Sequence, residues 1–256
     1  MNVHLNRLQP AIKDGNGTEV KVDVPYDKSD LSLRKKYQRV LLNEWSGDLP
    51  AIVQTHRDLS VALPQHINLL LKEENEVSHL RRFIIVGEVP EFAFPGSYRL
   101  ELYLLPKDPQ QTSANVVNSI SVFGRANPDR CAACVDRRAA GSRTRGHMHL
   151  DPRIILYLIG QLDPIQRAAI TELDHLVVLI QGSFGLRLVG PDGTRLAAAD
   201  PYVGAHHAPL EVTKVPKLTL HSHVIKFKPA DDGAPIKFED AVTHGTFGVG
   251  HAWKAF

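Results

Sequence analysis

The sequence predicts a mainly β fold, an antiparallel β-sandwich with a few short α-helices. Residues 83–86, 98–104 and 120–123 are runs rich in β-branched and aromatic side chains, and Pro and Gly separate them. Residues 218–228 alternate apolar and polar side chains, which is typical of a half-buried strand. Short strands of this kind, joined by turns, indicate a sandwich.

Two helices are predicted between the early and late strands. Asp151 is placed to cap the first helix, and Pro152 fits its first helical position. A second helix is expected at residues 164–174. Further strands are expected at residues 176–180 and 184–189, and a turn at residues 191–193.

The chain is predicted to have two parts. Residues 1–78 form an N-terminal extension that packs on the core, and residues 79–256 form the sandwich that carries the candidate site. The acidic stretch at residues 73–76 is expected to be a loop at this boundary. The elements expected in the extension are a helix at residues 30–45 and strands at residues 19–24, 60–63 and 67–71.

Charge and hydropathy patterning argue against two classes of function. The 256-residue chain has a net charge of +2, and its short basic stretches lack interleaved aromatic residues, so nucleic-acid binding is not expected. The N-terminus lacks the apolar core of a signal peptide, and no apolar run approaches the ~18 residues that span a bilayer. We therefore expect a cytoplasmic protein with no membrane partner.

The two cysteines of the chain form its most informative motif. Cys131 and Cys134 stand three residues apart, and His147 and His149 follow in an alternating pattern. Thiolates at this spacing can bind one cation across a tight turn, and alternating histidines on a strand share one face. Because thiolate and imidazole are ligands that zinc prefers, these four residues are predicted to form one metal site.

Three alternatives to a metal site remain open at the level of sequence. A disulfide between Cys131 and Cys134 closes a very small loop and constrains the unfolded chain little, and a reducing compartment keeps thiols reduced. A thioredoxin-like redox pair needs the motif to open a helix in a βαβ unit, and residues 127–130 before it predict no such unit. The two thiols can also be unrelated buried side chains.

Four further residues are candidates for catalytic roles. Asp129, Arg130 and Asp136 flank the thiols, where they can orient an amide or absorb charge, although turn formation or solvation also explains them. His223 alternates with His221 on a predicted strand. His223 can line the same cavity, supply a remaining ligand, or lie on a solvent-facing strand edge.

The order of these motifs resembles the C-terminal β-sandwich of fungal tyrosinases and hemocyanins. The resemblance covers about residues 80–228 and rests on the strand at 119–123, the Cys-x-x-Cys motif, residues 146–150 and the late Asp-Gly-Thr at 192–194. Type-3 copper sites in those proteins use His-x-x-x-His pairs, whereas no two of the 13 histidines here stand four apart. Oxidase chemistry on phenols is therefore not expected.

A narrower resemblance is to the zinc-dependent, hemocyanin-like cyclopenases of fungal quinolone alkaloid biosynthesis. It implies an enzyme with one zinc ion that contracts the epoxidised benzodiazepinedione cyclopenin to the quinolone viridicatin with loss of methyl isocyanate. Carried over to this chain, it implies Cys131, Cys134 and His149 as zinc ligands. His147 then either closes the site as a fourth ligand or stays free as an acid or base.

The resemblance leaves the biological role open between three classes. The first is the cyclopenase-like enzyme, with a small alkaloid as its substrate and a homo-oligomer as a compatible assembly. The second is a non-catalytic subunit that holds Cu(I) or covers a separate type-3 copper oxidase. The third is a binding module in which zinc is purely structural.

Overall fold

The structure of the protein is a computed structural model in which strands dominate. The described residues are 11–13, 19–21, 63–67, 69–73, 76–106, 115–125, 128–204, 206–226, 237–248 and 250–256. The predicted mainly β, antiparallel fold with a few short helices is confirmed within them. The helix expected at residues 30–45 and most of the strand expected at 60–63 lie outside these residues. In the described part of the chain, no helix combines the length and apolar character needed to span a membrane.

Twelve strands are found in the described residues, and all of their pairings are antiparallel. They are β1 (Ala11–Lys13), β2 (Glu19–Lys21), β3 (Leu70–Glu73), β4 (Glu76–Pro90), β5 (Tyr98–Leu104), β6 (Asn115–Val122), β7 (Arg143–Leu150), β8 (Phe184–Val189), β9 (Arg195–Ala199), β10 (Lys217–Lys226), β11 (Lys237–Thr246) and β12 (Lys254–Ala255).

The strands form two five-stranded sheets, and β1 pairs with β2 in a separate two-stranded sheet. The first large sheet has the order β11-β10-β4-β3, and β7 pairs with the distal half of the long strand β4. The second has the order β12-β9-β8-β5-β6. Strand β4 is therefore central in the first sheet, with β10 on one side and β3 and β7 on the other.

Four α-helices connect the strands in the described residues: α1 (Ala132–Ala139), α2 (Pro152–Gly160), α3 (Pro164–Ala168) and α4 (Leu173–Ser183). The predicted start of α2 is confirmed, because the Asp151 side chain accepts a hydrogen bond from the backbone N–H of Arg153 at 2.8 Å and Pro152 follows it. Asp163 and Gln166 form a reciprocal capping box at the start of α3.

The two large sheets share one buried apolar cluster, as expected for a sandwich. The clearest contact between the two sheets is made by Ile120 of β6. Its side chain fills the space that a Cβ atom at Gly87 or Gly146 would need. These two glycines face each other across β4 and β7, so together they leave room for one isoleucine from the opposite sheet. Helices α2 and α4 add Ile155, Ile159, Leu176 and Ile180 to the same cluster.

Two sequence-based assignments after residue 160 are wrong. The strand expected at residues 176–180 lies inside helix α4, because Leu176, Val177 and Ile180 are buried at helical spacing. A short apolar run fits either a strand or a buried helix face, and only packing distinguishes them. The single helix expected at 164–174 is two helices, since the extended backbone of Glu172 (φ −136°, ψ 162°) separates α3 from α4.

The boundary expected between residues 78 and 79 falls inside β4, which begins at Glu76. Strand β3 pairs with the first part of β4, and Ile67 and Leu69 belong to the shared buried cluster. These residues of the expected extension are therefore packed with the sandwich.

Candidate functional site

Four histidines and one arginine lie on the outer face of the first sheet. In the strand register, His149 and His147 of β7 stand opposite Ile84 and Val86 of β4. On the other side of β4, His221 and His223 of β10 stand opposite Ile84 and Arg82. Because directly opposed residues point to the same side of a sheet, these five polar residues share one surface. We call Arg82, His147, His149, His221 and His223 the histidine face.

The alternate residues on the same strands explain why this register is fixed. Met148 and Leu150 of β7 and Leu220 of β10 are buried in the core. A shift by one residue would bury the histidines and expose these apolar side chains. The backbone carbonyl of His149 also accepts a hydrogen bond from the Asn118 side chain of the second sheet at 3.1 Å.

Arg82 is the most buried polar residue of the histidine face. Its relative exposure is only 9%, and its Nε atom has no hydrogen-bond partner among the described residues. Burial lowers the pKa of Arg82, and the negative charge of Asp151 opposes this effect. The Asp151 carboxylate itself accepts hydrogen bonds from Arg153.

His149 and His223 are both shifted toward their neutral forms. Partial burial lowers the pKa of each imidazole, and the positive charge of Arg82 lowers both further. The pKa of His223 is lowered additionally by the charge of His149 on the other side of β4. The ring of Phe238 meets the His223 ring edge-on with 5.3 Å between centroids. Neutral imidazoles near neutral pH are able to accept a proton.

The two cysteines lie at the start of helix α1. Cys131 is the N-cap residue, and its carbonyl accepts hydrogen bonds from the backbone N–H groups of Cys134 and Val135 at 2.9 and 3.0 Å. A hydrogen bond between the two thiols lowers the pKa of Cys131 and raises that of Cys134. Arg125 lies close enough to favour both thiolates.

The Cys-x-x-Cys motif thus opens a helix, which is one of the two features that a thioredoxin-like redox pair needs. The 3₁₀ turn Pro128–Arg130 leads directly into α1, and Cys131 caps it through its backbone although its side chain makes no cap hydrogen bond. The second feature, a βαβ unit, is not formed by the strands on either side of the motif. Strands β6 and β7 on either side of α1 belong to different sheets, so these elements form no βαβ unit.

The remaining sequence candidates divide between these two locations. Asp129, Arg130 and Asp136 lie with the thiols and are exposed on the 3₁₀ turn and α1, where Asp129 forms an ion pair with Arg138. His223 lies on the histidine face beside His149 and Arg82. The structure thus brings the thiols together and the imidazoles together, but as two groups.

The expected zinc ligands do not fit one metal site as they are placed. Zinc needs three or four protein ligands at about 2.0–2.3 Å from one point. Among the described residues, which include all four expected ligands, no three His, Cys, Asp or Glu side chains converge in this way. Zinc binding by Cys131, Cys134, His147 and His149 stays a prediction.

Sequence reasoning missed Arg82, which the structure places on the central strand of the histidine face, opposite His223. A signal for it was present in the sequence, because Arg82 occupies a position inside the apolar strand between Leu80 and Ile85. A charged residue there must be partnered or functional. Which of the two holds depends on neighbours that only the fold supplies.

Comparisons with known proteins give no match at the level of sequence. No family model matches the chain, and no curated protein matches it either. A crystal structure of latent and active mushroom tyrosinase matches 67% of this chain at 17% identity with a TM-score of 0.37, and this chain covers 27% of that protein. A structure of recombinant mushroom tyrosinase matches 67% of this chain at 14% identity with a TM-score of 0.38, with 26% of that protein covered.

This chain thus spans about a quarter of the length of the two tyrosinase structures. At TM-scores below 0.5, the likeness establishes neither a shared type of sandwich nor a shared activity. The mainly β fold rests on the strand pairings themselves.

Proposed function

We propose that this protein is a non-redox enzyme of the cyclopenase type, which contracts cyclopenin to viridicatin with release of methyl isocyanate. The observation that supports it is the pair of imidazoles, His149 and His223, held neutral beside Arg82 on one sheet face. The reaction divides the atoms of one substrate between two products and needs no electron acceptor. Acid–base side chains, rather than a redox centre, are the groups that such a rearrangement requires.

His223 is the proposed proton-transfer group. Its ring is partly buried, and it touches Phe238, whose apolar surface suits an aromatic bicyclic substrate. As a neutral imidazole it can take a proton from an amide nitrogen of the substrate and return it to the product. His149 on the other side of β4 is the second imidazole that can serve this role.

Zinc is part of the proposal through the sequence resemblance alone. The four expected ligands form two groups in the structure, so we assign no step to the metal. The metal content of the purified protein is therefore a separate measurement from turnover.

The test is conversion of cyclopenin by the purified full chain, measured as viridicatin by liquid chromatography and mass spectrometry, with metal content measured by elemental analysis. His223→Gln is expected to lower kcat/KM by about a hundredfold or more, the range of general acid–base catalysis. His206→Gln, in an exposed loop, is the control and should retain full turnover. Absence of viridicatin with the wild-type protein, or full activity of His223→Gln, would contradict the proposal.

A second candidate function is handling of Cu(I) for a separate type-3 copper oxidase. It is favoured by the contact between the Cys131 and Cys134 thiols, which are partly exposed and have no third ligand nearby among the described residues. Soft thiolates select Cu(I). A site that passes Cu(I) to another protein must hold the ion with few ligands and remain accessible to that protein.

A Cu(I) competition titration tests this second function. The wild-type protein should bind one Cu(I) ion per chain, Cys131→Ser should lose binding, and His149→Gln should retain it. Loss of Cu(I) binding in His149→Gln would contradict a two-thiol site and favour the joint cluster of thiols and imidazoles.

A further inference from the structure

Arg81 and Arg82 are adjacent buried arginines with opposite environments. Arg81 is 1% exposed and donates hydrogen bonds to the Ile67 carbonyl and the Ser222 hydroxyl, both at 2.9 Å, and it forms an ion pair with Asp240. Its charge and its donors are thus satisfied within the protein. Arg82 points to the other side of β4, where its Nε atom has no partner among the described residues.

Within the described part of the chain, no carboxylate forms an ion pair with Arg82, although the charge of Asp151 acts on it. Glu88 is on the same face of β4 but six residues along the strand, which corresponds to about 20 Å. There it stands between Arg145 and Lys217 in the register. Asp151 is close enough to interact electrostatically, but Arg153 already binds its carboxylate.

A buried guanidinium with an unused donor is unfavourable unless a ligand completes it. Transfer of a charged group out of water is unfavourable even after relaxation, and each unsatisfied buried donor adds to this cost. Exposed arginines avoid the cost by hydration. A bound anion would offset this cost for Arg82 while it is present.

The geometry of guanidinium indicates the kind of ligand. A guanidinium presents pairs of N–H groups in one plane, and such a pair matches the two oxygens of a carboxylate. We propose that Arg82 binds the carboxylate of a small aromatic acid at the histidine face. Phe238, which is 61% exposed and lies against His223, provides the apolar surface for the ring of such a ligand.

The test uses benzoate as the probe and benzamide as its neutral counterpart, with the full chain and calorimetric titration. The wild-type protein should bind benzoate at least about tenfold more tightly than benzamide, since hydrogen bonds to charged groups are the stronger class. Arg82→Met should weaken benzoate binding by at least about tenfold and leave benzamide binding unchanged. Arg145→Met removes a charge from the same sheet face and should bind benzoate like the wild type.

Thermal unfolding separates a binding role from a structural one. Arg82→Met should keep or raise the Tm without ligand, because an apolar side chain replaces an unpaired buried charge, whereas Arg81→Met should lower it. A Tm for Arg82→Met as low as that of Arg81→Met would overturn the proposal. Equal benzoate binding by wild type and Arg82→Met, or equal affinity for benzoate and benzamide, would overturn it too. None of these measurements depends on zinc or on turnover of cyclopenin.

Discussion

At the scale of single residues, two adjacent arginines have different environments because successive residues of a strand point to opposite faces of the sheet. Arg81 points into the protein and is fully paired, and Arg82 points to the histidine face. Asp240, the partner of Arg81, has a φ of 49°, the only positive φ of a non-glycine residue in the described segments. This uncommon conformation is maintained where the carboxylate neutralises a buried charge.

The two cysteines are expected to differ in reactivity. The thiol of Cys134 donates to Cys131 and lowers its pKa, so Cys131 has more thiolate and should react faster with iodoacetamide at pH 7. Peptide mass spectrometry after brief labelling measures this difference. Cys134→Ala removes the donor and should slow labelling of Cys131, while Cys134→Ser keeps a donor and should slow it less. Equal labelling of both thiols would contradict the arrangement at the start of α1.

At the scale of elements, the outer face of the second sheet is held by a buried carboxylate. Glu101 of β5 is 4% exposed and forms ion pairs with Arg99 beside it and with Arg187, which stands opposite on β8. Arg187 also lies over the ring of Tyr103, 5.2 Å from its centroid. Tyr103 in turn lies against Gly185, where any side chain would overlap the ring. The pairing of β5 with β8 thus depends on polar contacts as well as on the apolar inner face.

Glu101 is expected to make stability depend on acid pH. Burial raises its pKa, but hydrogen bonds and the charges of Arg99 and Arg187 lower it more, so the net pKa lies below the ordinary value of 4.5. The folded state then binds this proton less readily than the unfolded state. The contribution of Glu101 is present above pH 4.5 and is lost as the pH falls through the lower, folded-state pKa.

Urea unfolding of Glu101→Gln measures this contribution. The variant should lose about 1–3 kcal/mol of unfolding free energy at pH 7 and much less at pH 3. Glu211→Gln, which removes one partner of an exposed ion pair with Lys214, is the control and should change stability by less than about 1 kcal/mol. A loss for Glu101→Gln that is the same at both pH values would show that the carboxylate charge is not responsible.

At the scale of the whole molecule, the approach of the two sheets depends on a pair of opposed glycines. An added Cβ at Gly146 would lie 2.7 Å from Cγ2 of Ile120, and one at Gly87 would lie 2.6 Å from its Cδ1. Cδ1 is at the mobile end of the side chain, whereas Cγ2 is bonded close to the backbone. Gly146 is therefore the less replaceable of the two.

Gly146→Ala is expected to lower stability by about 1–3 kcal/mol because it overpacks the space between the sheets. Gly182→Ala is a matched change in helix α4, where an added Cβ meets no atom within 4 Å, and should raise stability by up to about 1 kcal/mol. Chemical denaturation of both variants gives the comparison. When Gly146→Ala is combined with Ile120→Ala, the space left by isoleucine should accept the added methyl group, so the losses should not add. Strict additivity would contradict direct contact between these positions.

The sequence predicted those elements whose signals are local. Asp151 and Pro152 were sufficient to locate the start of α2, and alternation was sufficient to locate β10. The apolar run at residues 176–180 was assigned wrongly because its composition fits a strand and a buried helix equally well. For the site, the sequence identified the thiols and three of the four histidines as candidates, and His221 only as the neighbour of His223.

The sequence by itself determined that this protein is mainly β. It also identified the two thiols and the alternating histidines as candidate reactive groups. Both conclusions were possible because strand patterning and ligand types are properties of short segments. Tertiary structure decided how those groups are combined. Strand register places His149, His223 and Arg82 on one face of the sheet. Arg82 and His223 are 141 residues apart in the sequence, the same separation as in the adjacent Arg81–Ser222 pair. It also leaves Cys131 and Cys134 at the start of a helix as a separate pair. Spacing along a chain does not specify which strands become neighbours in a sheet, and that pairing sets which side chains can act together.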